Sequence, residues 1–262
     1  MIPEKLDLLE QKFVYDVNRT STLSFDYKKK TIDTLIISDL HLGSDVSRSE
    51  AVIELLNSIK FKKLILNGDI FDDLNFKRLN KNDWKLLSLL RKLANRKRNK
   101  ELIWVIGNHD GAADVLSHLL GIKIYEEYIW EFEGKKLMAI HGHQFDKFII
   151  ENIILTEIAT YLYLLIQKID TKEQIISRWV KRRSKKWLRL SQKIAVDAMK
   201  YAKSKNVDIV FCGHTHIAGH YYNGETEYFN SGCWTDIPSQ FITISSEQGV
   251  QINGIKHHVS MN

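Results

Sequence analysis

Apolar residues along this chain come in short blocks, and each block ends in residues that can carry chemistry. Leu35-Ile36-Ile37 runs into Ser38-Asp39, and Lys63-Leu64-Ile65-Leu66 into Asn67-Gly68-Asp69. Leu102-Ile103-Trp104-Val105-Ile106 is followed by Gly107-Asn108-His109-Asp110, and Ile209-Val210-Phe211-Cys212 by Gly213-His214-Thr215-His216. A fifth block, Lys136-Leu137-Met138-Ala139-Ile140, ends in His141-Gly142-His143. Short, continuous, partly β-branched runs of this kind predict buried strands. Helix-like stretches, Ser49 to Ile59 and Asn82 to Asn95, separate the first three blocks, so strands alternate with helices as in an α/β sheet. Ligands of such sheets gather at the carboxyl ends of the strands. All five polar clusters fall there.

The rhythm changes at residues 146–205, which contain neither glycine nor proline. They are apolar from Phe148 to Ile169 and strongly basic from Arg178 to Lys193, which predicts a helical insertion or cap. From Tyr221 to Ile252, glycine punctuation and short alternating runs predict closing strands. The expected organisation is an N-terminal extension over 1–30 with no assignable role, then one α/β domain over 31–262 carrying the insertion. A chain of 262 residues is long enough for one such core.

Composition narrows the class. With 44% hydrophobic and 27% charged residues the chain is not of the disordered type. Met1 to Lys30 carries Glu4, Asp7, Glu10 and Asp16 and no continuous apolar run, which fits neither a signal peptide nor a membrane-spanning start. Cys212 and Cys233 stand in no zinc-ribbon or redox spacing. A reducing, cytoplasmic setting is the expectation. The net charge of +6 favours an anionic partner: a phosphate ester, a nucleic acid or a membrane surface.

Hard divalent cations take carboxylate oxygen, borderline ones accept imidazole, and a two-metal site needs a carboxylate that serves both ions. Asp39, His41, Asp69, Asn108, His141, His214 and His216 supply that mixture. In extended backbone, residues i and i+2 point to one side, so Asp39 with His41, and His214 with His216, are expected to converge. The donor set accepts manganese, iron, zinc, cobalt or nickel, with manganese placed first. His118, His220, His257 and His258 lie outside the clusters and are expected to be surface or packing residues.

In order along the chain, Asp39-Leu40-His41, Gly68-Asp69-Ile70-Phe71-Asp72, Gly107-Asn108-His109-Asp110, His141-Gly142-His143 and Gly213-His214-Thr215-His216 resemble the DxH, GDxxD, GNHD, HGH and GHTH series of the calcineurin-like metallophosphoesterases. The resemblance implies a two-sheet sandwich flanked by helices. It also implies two divalent ions, one held by Asp39, His41, Asp69 and His216 and the other by Asp69, Asn108, His141 and His214. Asp69 would be the bridge, His109 the donor to the phosphate or leaving oxygen, and Asp72 the carboxylate that orients His109. His143 would touch substrate or brace His141.

The run His141-Gly142-His143-Gln144-Phe145-Asp146, the insertion after it, and the late Tyr228-Phe229-Asn230-Ser231-Gly232-Cys233-Trp234 look like the UDP-2,3-diacylglucosamine hydrolase branch. The resemblance then implies cleavage of a pyrophosphate, with a cap that receives acyl chains. His109 stands where that enzyme resembles GNRD, and His143 where it resembles HGD, which leaves the substrate open. Val180, Trp187, Leu190 and Ile194 fall at helical spacing in the basic stretch. That amphipathic helix either shows a solvated face, gathers a diphosphate through Arg182 and Arg183, or rests on anionic headgroups. The expected substrate is a phosphorylated small molecule or lipid. Two rival readings stand beside it: a nuclease or cyclic-nucleotide phosphodiesterase, and a scaffold that kept the fold without catalysis.

Overall fold

A computed structural model of the chain describes residues 21–22, 31–95, 100–111, 113–146 and 185–255. In chain order the elements are β1 (Ser21–Thr22), β2 (Thr31–Ile37), α1 (Ser49–Ser58), β3 (Lys60–Asn67), α2 (Lys81–Leu93), β4 (Glu101–Val105), α3 (Ala113–Leu120) and β5 (Ile124–Tyr125). They continue as β6 (Glu127–Phe132), β7 (Lys135–Ile140), α4 (Lys185–Ser204), β8 (Ile209–Cys212), β9 (Gly219–Tyr222), β10 (Glu227–Asn230), β11 (Ser239–Ser245) and β12 (Gly249–Ile255).

Two sheets form. One runs β1-β12-β11-β2-β3-β4-β5 and the other β6-β7-β8-β10-β9. The β2, β3, β4 and β5 ladder is parallel, as is β7-β8-β10. Both sets of parallel strands therefore deliver their carboxyl ends to loops that carry Asp and His.

Alternation along the strands sorts side chains into layers. Ile36, Ile65, Ile103, Phe211, Phe229 and Ile242 share the core between the sheets. Their neighbours Leu35, Ile37, Leu64, Leu66 and Trp104 face the other way, onto Val52 and Leu55 of α1, Leu86 and Leu90 of α2, and Leu116 of α3. On the far side, Met138, Ile140, Val210 and Tyr228 pack against Ala195, Ala198, Met199 and Ala202 of α4. The order of layers is helices, sheet, sheet, helix, as expected for a two-sheet sandwich flanked by helices. Burying each large apolar side chain contributes about 1.5–3 kcal/mol, so these three layers dominate the favourable side of the balance.

The start of α2 is fixed locally. Asn80 Oδ1 accepts from the main-chain N of Asn82 and Asp83, and Asp83 Oδ2 accepts from the N of Asn80, a reciprocal capping box. Helix α4 lies inside the stretch expected to form the insertion, yet its small residues make it the outer layer of the second sheet. That part of the 146–205 stretch belongs to the sandwich, because Ala195, Ala198 and Ala202 let the helix sit close on the strands. The apolar segment Phe148 to Ile169, together with Arg182 and Arg183, lies outside the described residues. Of the 1–30 extension, only Ser21–Thr22 is described, pairing in parallel with β12 at the sheet edge.

Candidate metal centre

The loops after β2 and β3 run side by side beyond the strands. Asp39 N donates to Gly68 O at 3.0 Å, His41 N to Asp69 O at 3.1 Å, Leu42 N to Ile70 O at 2.9 Å, and Asp72 N back to Leu42 O at 3.0 Å. Trp234 N straps Asp39 O from the late loop at 3.0 Å.

Within this tied backbone, Asp39, His41, Asp69, His214 and His216 all adopt left-handed conformations, with φ between 46° and 64°. Among the described residues only Glu133 and Asn206 are other non-glycine positions with positive φ. Such backbone costs on the order of 1–3 kcal/mol per residue and persists where the surroundings impose it, typically at functional sites. The convergence of Asp39 with His41, and of His214 with His216, therefore comes from left-handed kinks. The extended i, i+2 geometry expected from the sequence is not what aims them.

The side chains gather in two principal groups, Asp39 with His41 and His216, and Asp69 with His141 and His214, while a third, Asp72 with His109, shares His41 with the first. In the first, His216 Nε2 lies 3.1 Å from Asp39 Oδ1 and 3.1 Å from His41 Nε2. In the second, His141 Nε2 lies 3.1 Å from Asp69 Oδ2. His214 Nε2 is 3.1 Å from Asp146 Oδ2. Asp39, Asp69 and His141 are almost wholly buried. Asn108 is exposed on the neighbouring loop, and His109 is half-buried.

Tautomers decide what these contacts mean. His141 Nδ1 lies 2.8 Å from the Asn67 carbonyl, which only accepts, so Nδ1 carries the proton. Nε2 of the neutral ring then turns a lone pair toward the Asp69 carboxylate, and that buried nitrogen has no hydrogen-bond partner. Two acceptors 3.1 Å apart in a dry site repel unless a proton or a metal ion lies with them. The spacing suits an ion: donors about 2.1 Å from one metal lie roughly 3 Å apart on an octahedral edge. The residues present fit a pair of divalent cations.

A proton takes that place when no metal does. Burial opposes charging His141, but the Asp69 carboxylate outweighs it and raises the ring to about 9. Burial likewise opposes charging His216, and the Cys233 sulfur and Asp39 raise it to about 10. A histidine raised from about 6.5 stabilises the fold fully below that pH and loses its contribution as pH climbs through its folded value. The metal-free protein is thus expected to lose stability between pH 6.5 and about 10. Metal binding at pH 7 should release about two protons, since ligating imidazoles are neutral. Calorimetric titration in buffers of different ionisation enthalpy reads this directly, and release of no protons would contradict it.

Other residues fall into supporting places. The Asp72 carboxylate lies 3.4 Å from His41 Nδ1 and pairs with Arg78 at 2.8 Å. Its main-chain oxygen, and not its carboxylate, meets His109 Nδ1 at 2.8 Å. The expected carboxylate–His109 contact is therefore replaced by a carbonyl contact, while the carboxylate steers His41. His143 stands on a 3-10 turn (His143–Phe145), its ring centroid 5.5 Å from that of His141. Burial and the neighbouring His141 hold its pKa down at about 4. His118 is exposed, and the exposed His220 stacks on Phe229.

Three supports went unassigned in the sequence reading. Asp110 accepts from Ile70 N, Phe71 N, Gly107 N and Trp104 Nε1 at 2.7–3.2 Å, pinning the Asp69 loop to the His109 loop. A Cβ on Gly68 would come within 2.2 Å of His141 Nδ1, and one on Gly213 within 2.4 Å of Asp39 Oδ2. The glycines directly before Asp69, Asn108 and His214 were the available signal. Asp146 closes on His214 from the end of the 3-10 turn; the run His141 to Asp146 contains it but assigns it no role.

A family model described as calcineurin-like phosphoesterase matches residues 32–218. No curated protein matches the chain by sequence. Among solved structures, a novel archaeal phosphodiesterase is similar at 17% identity and a TM-score of 0.48, covering 84% of this chain and 98% of its own. Vps29 of Chaetomium thermophilum is similar at 12% identity and a TM-score of 0.47, covering 87% and 90%. YfcE, a phosphoesterase from E. coli, is similar at 18% identity and a TM-score of 0.44, covering 83% and 95%.

Proposed function

The chain belongs to the calcineurin-like phosphoesterases, and we propose that it hydrolyses a phosphodiester or a diphosphate with two divalent metal ions. The observation that carries this reading is the buried pair His141 Nε2 and Asp69 Oδ2, two acceptors 3.1 Å apart, beside a second Asp-His-His group.

Asp39, His41 and His216 would hold one ion and Asp69, His141 and His214 the other, with Asp69 shared and Asn108 completing the second. Manganese is the first metal to try. When bound, such a pair supplies Lewis acidity that lowers the pKa of water and offsets charge on the phosphoryl group. The chain supplies orientation and a proton. His109 donates from Nδ1 to the Asp72 carbonyl, which leaves Nε2 as the atom that can take a proton and hand it to the leaving oxygen. The main-chain N of His109 donates to Asp69 Oδ1 at 2.9 Å, so the imidazole and the shared carboxylate keep one register. The carboxylate of Asp72 holds His41, and His143 faces the same cluster as a substrate contact.

The narrower substrate is a nucleotide-linked lipid diphosphate such as UDP-2,3-diacylglucosamine, which rests on the run from His141 to Asp146 and on the length of the segment after it. Arg182 and Arg183 would meet its phosphates. Among the described residues no helix is long and apolar enough to cross a membrane, and a cytoplasmic enzyme that meets the membrane only at its surface fits this reading.

Metal-stripped protein reloaded with manganese and assayed on bis-p-nitrophenyl phosphate, UDP-2,3-diacylglucosamine and single-stranded DNA tests the whole proposal. His109→Ala is expected to lower kcat by about 10²–10⁴-fold with metal content unchanged. Turnover of the DNA alone would replace the diphosphate reading with a nuclease. Absence of both metal binding and turnover would leave a scaffold.

A further inference from the structure

We infer that Asp146 is a positioning residue for the second metal: its carboxylate holds His214 through Nε2–H, so that Nδ1 is the atom offered to the ion. The inference rests on the two-metal reading, but it concerns a residue outside the ligand set and is read by metal binding, not by turnover.

Three observations meet here. His214 Nε2 lies 3.1 Å from Asp146 Oδ2, and Asp146 is only 1% exposed. A carboxylate oxygen accepts, so the ring nitrogen facing it at this distance donates, and a nitrogen that donates has no lone pair left for a metal. The ring is held from the other end as well, since His214 N donates to both oxygens of Asp39, at 3.0 and 3.2 Å, with φ at +64°. His214 is thereby fixed between the carboxylate of the first group and Asp146, with its ring edge-on to His141 at a centroid distance of 5.4 Å.

The turn it sits on is clamped again one residue later. Trp187 Nε1 of α4 donates to Thr215 O at 3.1 Å, and Ser191 Oγ lies 3.4 Å from Thr215 Oγ1. Asp146, the last described residue before 147–184, and Trp187, in the first turn of α4 after it, both hold the His214-Thr215 turn. His41 has an equivalent partner in Asp72 and His141 has the Asn67 carbonyl. With Asp146 assigned, each of these three imidazoles has one nitrogen tied to an oxygen and the other free for metal.

Calorimetric Mn2+ titration of the full chain, paired with elemental analysis, compares wild type with Asp146→Ala and Asp146→Asn. In Asp146→Ala one of two binding events should weaken about 10–100-fold, the usual effect of losing such a partner, while the other changes less than about threefold. Asp146→Asn keeps an acceptor oxygen and should recover most of the loss. Long-range 15N spectra of histidine should show His214 as the Nε2–H tautomer in Zn2+-loaded wild type and a mixture in Asp146→Ala. Unchanged affinities, equal weakening of both events, or metal on His214 Nε2 would overturn the inference. If wild type binds fewer than two ions, the two-metal reading falls separately, and the same spectrum of the metal-free protein still reports whether Nε2–H faces Asp146.

Discussion

Asp69→Asn is expected to lower hydrolysis by more than about 10³-fold, equivalent to about 4 kcal/mol of transition-state stabilisation, while leaving the metal-free fold intact or firmer only where His141 is neutral, above its raised value of about 9. The reason for the split lies in the contacts of one carboxylate. Its Oδ2 faces the lone pair of His141 Nε2 at 3.1 Å, and its Oδ1 accepts from His109 N. The nearby Asp39 carboxylate adds like charge, and although burial and the Asp69 charge push Asp39 up, His216 and His141 hold it below the usual carboxylate range. Above about pH 9, where His141 is neutral, an amide in its place can donate to His141 Nε2 and relieve that repulsion, so the melting temperature in EDTA should hold or rise there; at pH 7 the amide instead forfeits the ion pair with protonated His141, and the melting temperature in EDTA should fall. The same amide removes the negative charge that would be shared between two cations. Melting curves with and without Mn2+, together with metal counts, decide it. A sharp loss of stability in EDTA above about pH 9, or retention of two ions, would show that Asp69 is structural. The trade is the familiar one in which a functional site is kept at the cost of stability.

Gly107→Ala is expected to be severely damaging, although it adds a single methyl group. An added Cβ would lie 2.2 Å from Asp69 N and 2.2 Å from Asp69 Oδ1, and neither can retreat. The main chain at Asp69 is tied through His41 N to Asp69 O, and Asp110 bonds Gly107 N, Ile70 N and Phe71 N at once. The loop carrying Asn108 and His109 must move, with loss of bonds that are buried. A cost of about 3–4 kcal/mol is expected, at the upper end for overpacking and polar-network loss. For a chain of this size that lowers the melting temperature by roughly 10 °C. Activity should vanish even in the fraction that folds. A melting temperature within about 2 °C of wild type would mean that the loops are not locked as described.

Much of this architecture is legible in the chain. Leu35, Ile36 and Ile37 announce a strand buried on both faces, and the structure puts Leu35 and Ile37 under the helices and Ile36 between the sheets. The polar residues that follow each such strand are at its carboxyl end, so their gathering was readable from order alone. Their aim was not. Asp39 and His41 converge because both residues are left-handed and tied to the next loop, a property of two loops together that neither loop encodes by itself. Asp72 shows the same limit: its position was found, but its carboxylate reaches His41 while its carbonyl serves His109. Asp146 sits 68 residues from His214, and spacing carries no information about such a pair. Helix α4 was readable as amphipathic, but its membership of the sandwich depends on a face of small residues meeting Met138 and Val210.

The two principal groups of candidate ligands are each drawn from both halves of the sandwich. Asp39 and His41 follow β2 and Asp69 follows β3 in the larger sheet, whereas His141 follows β7 and His214 and His216 follow β8 in the smaller one. An ion seated in either group is therefore a rivet through two plates, and sliding one plate over the other would stretch its bonds before it disturbed the apolar filling. Metal occupancy and the slip of the sheets are then one mechanical coordinate. With ions in place, a force or a partner that shears the sandwich would be felt at the rivets, and chelation would make the whole assembly easier to shear.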